Sequence, residues 1–141
     1  MRPAKFPYLE FDGLLAFAHR GGAGAWPENT MPAFQGAVDL GYRYIETDVH
    51  ATRDGVLLAF HDDMLDRVTD MKGVVAEMDY AEVRKARIAG TEPIPLMADL
   101  LAAWPELRIN IDPKRDNAAE PLIKLLKDAR AVERGSGLLA S

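Results

Sequence analysis

His19 and His61 each stand at the end of a short apolar run, 14–18 (LLAFA) and 56–60 (VLLAF), and Asp112 stands at the end of a third, 107–111 (LRINI). Glu46 and Asp48 sit two apart in a fourth run, 44–49 (YIETDV). Residues two apart in a strand share a face. Imidazoles titrate near neutral pH and can take or give protons, whereas carboxylate oxygens suit hard cations such as Mg²⁺ and Ca²⁺. Taken singly, each has a plainer account: a satisfied strand-end histidine, carboxylates facing solvent, or turn chemistry at Asp112 before Pro113. Their common placement argues otherwise, because independent strands have no local reason to put their charges at the same end.

The four runs read as strands, and helical patterns between them give the rhythm of a parallel α/β sheet, whose strand carboxyl ends are where ligands bind. The first helix has Thr30 as N-cap, Met31, Phe34 and Val38 on one stripe, and Gly41 as its close. Only ATRDG separates the second and third strands, so they form either a hairpin or a very tight return. Residues 62–90 make a long polar excursion with one helix at 79–87, and further helices are expected at 97–104 and 118–130.

The chain of 141 residues is 48% hydrophobic and holds no cysteine, which fits one ordinary domain without disulfides or thiolate metal sites. Seventeen basic against 22 acidic residues, net −5, give no basic face for nucleic acid. The amino-terminal segment mixes Pro, Lys, Glu and Asp into its apolar residues and has no signal-peptide core, and no run approaches a membrane span. The expectation is a cytoplasmic protein.

HRGG at 19–22, PENT at 27–30, ETDVHATRDG at 46–55 and HDDMLDRVT at 61–69 resemble, in order and spacing, the signature of the glycerophosphodiester phosphodiesterases. INIDPK at 109–114 is similar to their fourth-strand motif, so the resemblance covers about 14–130. It implies an α/β fold, the amino-terminal half of a TIM (β/α)₈-type barrel with about four parallel strands and flanking helices. It implies metal-dependent hydrolysis of a small-molecule glycerophosphodiester to an alcohol and glycerol 3-phosphate. One divalent cation, Mg²⁺ or Ca²⁺, would be held by Glu46, Asp48 and Asp112, with His19 and His61 exchanging protons and Arg20 and Lys114 contacting the phosphate. Glu28 and Asn29 resemble residues that support the metal or the substrate, and equally read as a capping loop for the first helix. His50 has the parity of Glu46 and Asp48, but the family motif varies there and it is left out. Trp26, beside the PENT loop, is a candidate wall of the alcohol pocket.

Two departures stand out. The family's fourth-strand carboxylate is usually glutamate, and Asp112 is one methylene shorter. A complete barrel of this type takes about 250 residues and eight strands, whereas only four are legible. The division expected is an N-terminal extension 1–13, a half-barrel 14–131, and an irregular tail 132–141 in which Gly135, Ser136 and Gly137 interrupt any fifth strand, reading as a truncation. Rival expectations are a non-catalytic half-barrel, a homo-oligomer closed through open sheet edges, and a related lipid phosphodiesterase.

Overall fold

The structure, a computed structural model, describes residues 17–19, 26–128 and 135–138. In chain order the elements are β1 (Phe17–His19), α1 (Met31–Asp39), β2 (Tyr44–Ala51), β3 (Leu57–Ala59), α2 (Tyr80–Val83), β4 (Arg87–Ile88), β5 (Glu92–Pro93), α3 (Met97–Ala103), β6 (Arg108–Pro113), α4 (Asp116–Asp128) and β7 (Gly135–Leu138). Four parallel strands lie in the order β1-β2-β6-β7, the arrangement of part of a (β/α)₈-type barrel.

The membership of that sheet differs from the sequence reading at two places. The run 56–60 does not join the parallel ladder: β3 pairs antiparallel with β2, Val49 opposite Ala59 and Ala51 opposite Leu57, so the hairpin alternative is the one that forms. Its turn closes with Thr52 N–H donating to the Val56 carbonyl at 2.9 Å, and Gly55 takes φ +84, a left-handed conformation that a glycine adopts without strain. The place of the fourth parallel strand goes to β7, in the tail expected to be irregular. Local propensity at Gly135 and Gly137 is poor for a strand, but the free backbone edge of β6 supplies the pairing, a tertiary influence that strand propensity does not capture.

α1 follows its sequence signals closely. The Thr30 hydroxyl accepts from Ala33 N–H at 3.3 Å, and Asn29 just before it sits at φ 52, a region that asparagine tolerates better than most residues. At the other end Gly41 has φ +91, with Gly41 N–H donating to the Val38 carbonyl and Tyr42 N–H to that of Ala37, the paired bonds of a Schellman stop. Phe34 on its inner stripe is fully buried, packed with Ile45, Val49, Ile109 and Ile111 of the sheet and with Leu100, Leu101, Leu122 and Leu126 of α3 and α4. Burying one such phenylalanine stabilises the fold by about 3 kcal/mol.

The excursion after β3 carries a second apolar cluster of its own, Leu58, Phe60, Leu65, Val75, Val83, Ala86, Ile88 and Ile94. The helix expected at 79–87 is only the single turn Tyr80–Val83. Beyond it Asp70 Oδ1 accepts from Arg87 N–H at 2.8 Å and draws Arg87 into β4, which pairs with β5. The turn is anchored from far along the chain: Asp54 Oδ1, at the β2–β3 hairpin tip, accepts from Tyr80 N–H at 3.0 Å, and Arg53 pairs with Asp79. No helix among the described residues is long and apolar enough to cross a membrane.

Candidate active site

β2 and β6 run parallel and in register, with Asp48 directly opposite Asp112 and Glu46 opposite Asn110. Two adjacent strands therefore deliver their carboxylates at one level, near the carboxyl end of their pairing, which stops one residue later at Val49 and Pro113. Oxygens of Glu46, Asp48 and Asp112 all lie within 4.8 Å of one another. That span is about twice a usual Ca²⁺–oxygen bond length. The shorter Asp112 side chain thus reaches the cluster. Asp112 lies inside β6, not after it, because the strand extends to Pro113.

Asp48 is almost fully buried, and Asp112 Oδ1 is buried without a hydrogen bond among the described residues. A buried carboxylate oxygen left so is costly unless a cation or a donor meets it. The donor set, all oxygen and all acidic, with one oxygen still to be satisfied, fits a hard divalent cation.

Lys114 follows the strand directly, its N–H donating to the Val49 carbonyl at 3.1 Å. Its ammonium turns back over the acids, 2.9 Å from Asp112 Oδ2 and 3.3 Å from Asp48 Oδ1. The hydrogen bond to Asp112, with the nearby Asp48 charge, raises its pKa above the ordinary lysine value. In this arrangement its charge offsets those of the two carboxylates.

β3 runs antiparallel to β2, so its end turns back along that strand: Phe60 N–H donates to the Asp48 carbonyl at 2.9 Å, and His61 follows it. Its Nδ1 lies 2.8 Å from Asp62 Oδ1. Its backbone carbonyl is held by the Nε2 of His50, at 2.9 Å. His50 itself is buried on β2, and that burial pushes its pKa down. Sequence parity placed His50 with the acids, but the three-acid cluster does not include it.

Glu28 is not one of the three clustered acids, and Asn29 is bonded to the strand that carries two of them. Glu28 pairs with Arg67 at 2.8 Å. Asn29 Oδ1 accepts from the Thr47 hydroxyl at 3.0 Å, tying the loop before α1 to β2, and its buried Nδ2 has no hydrogen-bond partner among the described residues. The capping role of this loop is real, since Thr30 caps α1. Trp26 is half exposed and leans over Gly36 of α1, where an added Cβ would meet its indole nitrogen at 2.9 Å. Of His19, only the backbone in β1 is described, with its Cα in register with Glu46. Arg20 lies outside the described residues.

Residues that the sequence reading passed over tie the rim loops together. Arg67 clamps Asp62, and Arg115 makes a two-pronged pair with Asp63, its Nε 2.8 Å from Oδ1, joining the loop after β6 to the loop after β3. Asp62 and Arg67 stand within the same motif as His61, and two opposite charges in so short a segment were the available signal.

Residues 19–138 match the Glycerophosphoryl diester phosphodiesterase family. The chain belongs to that family. It is 44% identical over 128 residues to a probable glycerophosphodiester phosphodiesterase 2 of Mycobacterium tuberculosis, covering 90% of this chain and 48% of that protein. Among solved structures, a glycerophosphodiester phosphodiesterase from Agrobacterium tumefaciens aligns with a TM-score of 0.81 at 27% identity, over 88% of this chain and 56% of the other. A phosphodiesterase from Oleispira antarctica, solved with its product sn-glycerol-3-phosphate, aligns with a TM-score of 0.73 at 26% identity, over 88% of this chain and 54% of the other. The chain spans about half the length of these relatives.

Proposed function

We propose that this chain carries the cation-binding and proton-transfer part of a glycerophosphodiester phosphodiesterase, which hydrolyses a glycerophosphodiester to an alcohol and glycerol 3-phosphate. The observation that carries the reading is the convergence of Glu46, Asp48 and Asp112 within 4.8 Å at the rim of a family barrel sheet. Glu46, Asp48 and Asp112 would hold one divalent cation, Mg²⁺ or Ca²⁺. When bound, it supplies positive charge that offsets the phosphodiester and polarises its P–O bonds.

The protein's own residues do the rest. Lys114, already beside the acids, and Arg20 bind the phosphate oxygens as fixed cationic donors. His19 and His61 move the protons. One accepts the proton of a glycerol hydroxyl as that oxygen attacks phosphorus, and the other gives a proton to the alcohol oxygen as its P–O bond breaks. Water then opens the resulting cyclic phosphate with the two proton roles reversed, leaving glycerol 3-phosphate. Glu28 and Asn29 shape the loop that closes this rim, and Asn29 fixes Thr47 between the two β2 acids.

Release of glycerol 3-phosphate from glycerophosphocholine, measured with Mg²⁺, with Ca²⁺ and with a chelator on protein of measured oligomeric state, tests the reading. Turnover that depends on the cation is expected. No release with either ion, or equal release in the chelator, would overturn it.

A further inference from the structure

His61 is held more completely than a residue at a strand end needs to be. Its ring Nδ1 meets Asp62 Oδ1 at 2.8 Å, while its carbonyl is fixed by the buried His50. Asp62 in turn is gripped at both oxygens by Arg67, Nε to Oδ2 at 2.7 Å and Nη2 to Oδ1, the oxygen that also meets His61, at 3.0 Å. The other amino group of Arg67 reaches Glu28 Oε1 at 2.8 Å, so the clamp is itself braced on the loop that precedes α1. Side chains of two loops thus stand behind the one carboxylate that meets the imidazole nitrogen.

The consequence follows from donor and acceptor counting. An ionised carboxylate only accepts hydrogen bonds, so a bond from the ring requires the proton to be on Nδ1. The neutral ring then presents its lone pair at Nε2, the nitrogen remote from Asp62. The planar guanidinium keeps the carboxylate from rotating away. We propose that Asp62, clamped by Arg67 and Glu28, is a positioning residue that fixes His61 in its Nδ1-protonated form and leaves Nε2 as the atom that exchanges protons with the phosphodiester.

The paired guanidinium also holds the Asp62 pKa down to about 2, so the acceptor stays ionised over the whole range in which a histidine changes charge. A purely structural ion pair here would be worth little, because Arg67 is half exposed and solvent screens it. It would also leave the ring's tautomer to chance.

The involvement of His61 in turnover rests on the hydrolase reading above; its tautomer does not. Nitrogen-15 NMR of the histidine-labelled full chain reads the tautomer directly in the neutral-ring state at high pH. The wild type is expected to show a protonated Nδ1 and a bare Nε2. Asp62→Ala should lose that preference, Asp62→Glu should recover part of it, and Arg67→Met should fall between. In turnover, Asp62→Ala should lower kcat by about ten- to a thousandfold with little change in KM, and it should cost nothing further in a His61→Ala background. A wild-type ring protonated on Nε2, or an unchanged tautomer in Asp62→Ala, overturns the proposal. So does wild-type kcat in Asp62→Ala, which would leave the hydrolase reading standing. If the chain turns over no glycerophosphodiester, the NMR result alone decides the tautomer, and only the functional reading falls. Should Asp62→Ala fail to fold by circular dichroism, Arg67→Met with the same readouts decides.

Discussion

Replacing Glu46 with glutamine separates a cation site from a mere cluster of acids, because the two make opposite demands on stability. Oxygens of three carboxylates lie within 4.8 Å of one another, with the Lys114 ammonium beside Asp48 and Asp112. Without a cation, removing one negative charge relieves repulsion, so Glu46→Gln is expected to melt at the wild-type temperature or slightly above it. With a cation the sign reverses. At about a hundredfold excess over Kd, a ligand that binds only the folded state stabilises it by about 2.7 kcal/mol, which for a chain of this size raises Tm by roughly 10 °C. Losing one unit charge beside a dication costs about 3 kcal/mol even at the dielectric of water, on the order of a hundredfold in Kd. At the same cation concentration the variant should therefore gain only about 1–2 °C. Differential scanning fluorimetry with MgCl₂ or CaCl₂ against NaCl of equal ionic strength measures both signs. A full cation-induced rise in Glu46→Gln would refute the assignment, and so would a wild type that responds no more to the divalent salts than to NaCl.

Three other outcomes are expected. His61→Ala and His19→Ala should each lower turnover by about 10² or more while keeping the cation-induced rise in Tm, since neither is assigned to coordination. Lys114→Met removes the ammonium held at 2.9 and 3.3 Å from two of the acids, so the cation-free protein should lose about 1–3 kcal/mol in urea unfolding and regain more than the wild type on adding Mg²⁺ or Ca²⁺. The Asp62 carboxyl titrates at about 2 in the folded protein against an ordinary 3.8, chiefly through its bonds to Arg67. A depressed carboxyl stabilises the fold above its ordinary value, and the contribution is lost as pH falls through about 2. With solvent screening of the half-exposed Arg67 it amounts to about 1 kcal/mol. The stability gap between wild type and Asp62→Asn should accordingly be constant above about pH 5 and close between about pH 4 and 2.

Much of the fold is legible in the sequence because its signals are local. Thr30 and Gly41 bracket α1 through bonds made within a few residues, and the period-two placement of Glu46 and Asp48 follows from strand geometry alone. The motifs around His19, Glu46, His61 and Asp112 named the family before any contact was known, since they record which residue types stand at which strand ends. Contacts between distant segments decided the remainder. Residues 56–60 read as a strand joined to the second by either a hairpin or a very tight return, and antiparallel pairing with β2 made it the hairpin. Gly135 to Leu138 read as an interruption, and the free edge of β6 made it a strand. Register alone set Asp48 opposite Asp112, which no spacing between residues 64 positions apart specifies. Asp62 and Arg67 were visible as letters in the motif of His61, but their grip on its ring depends on the segment between them folding back on itself and on Glu28 arriving from another strand's loop. Side-chain hydrogen bonds of that kind are set by three-dimensional approach, and one-dimensional spacing carries no record of it.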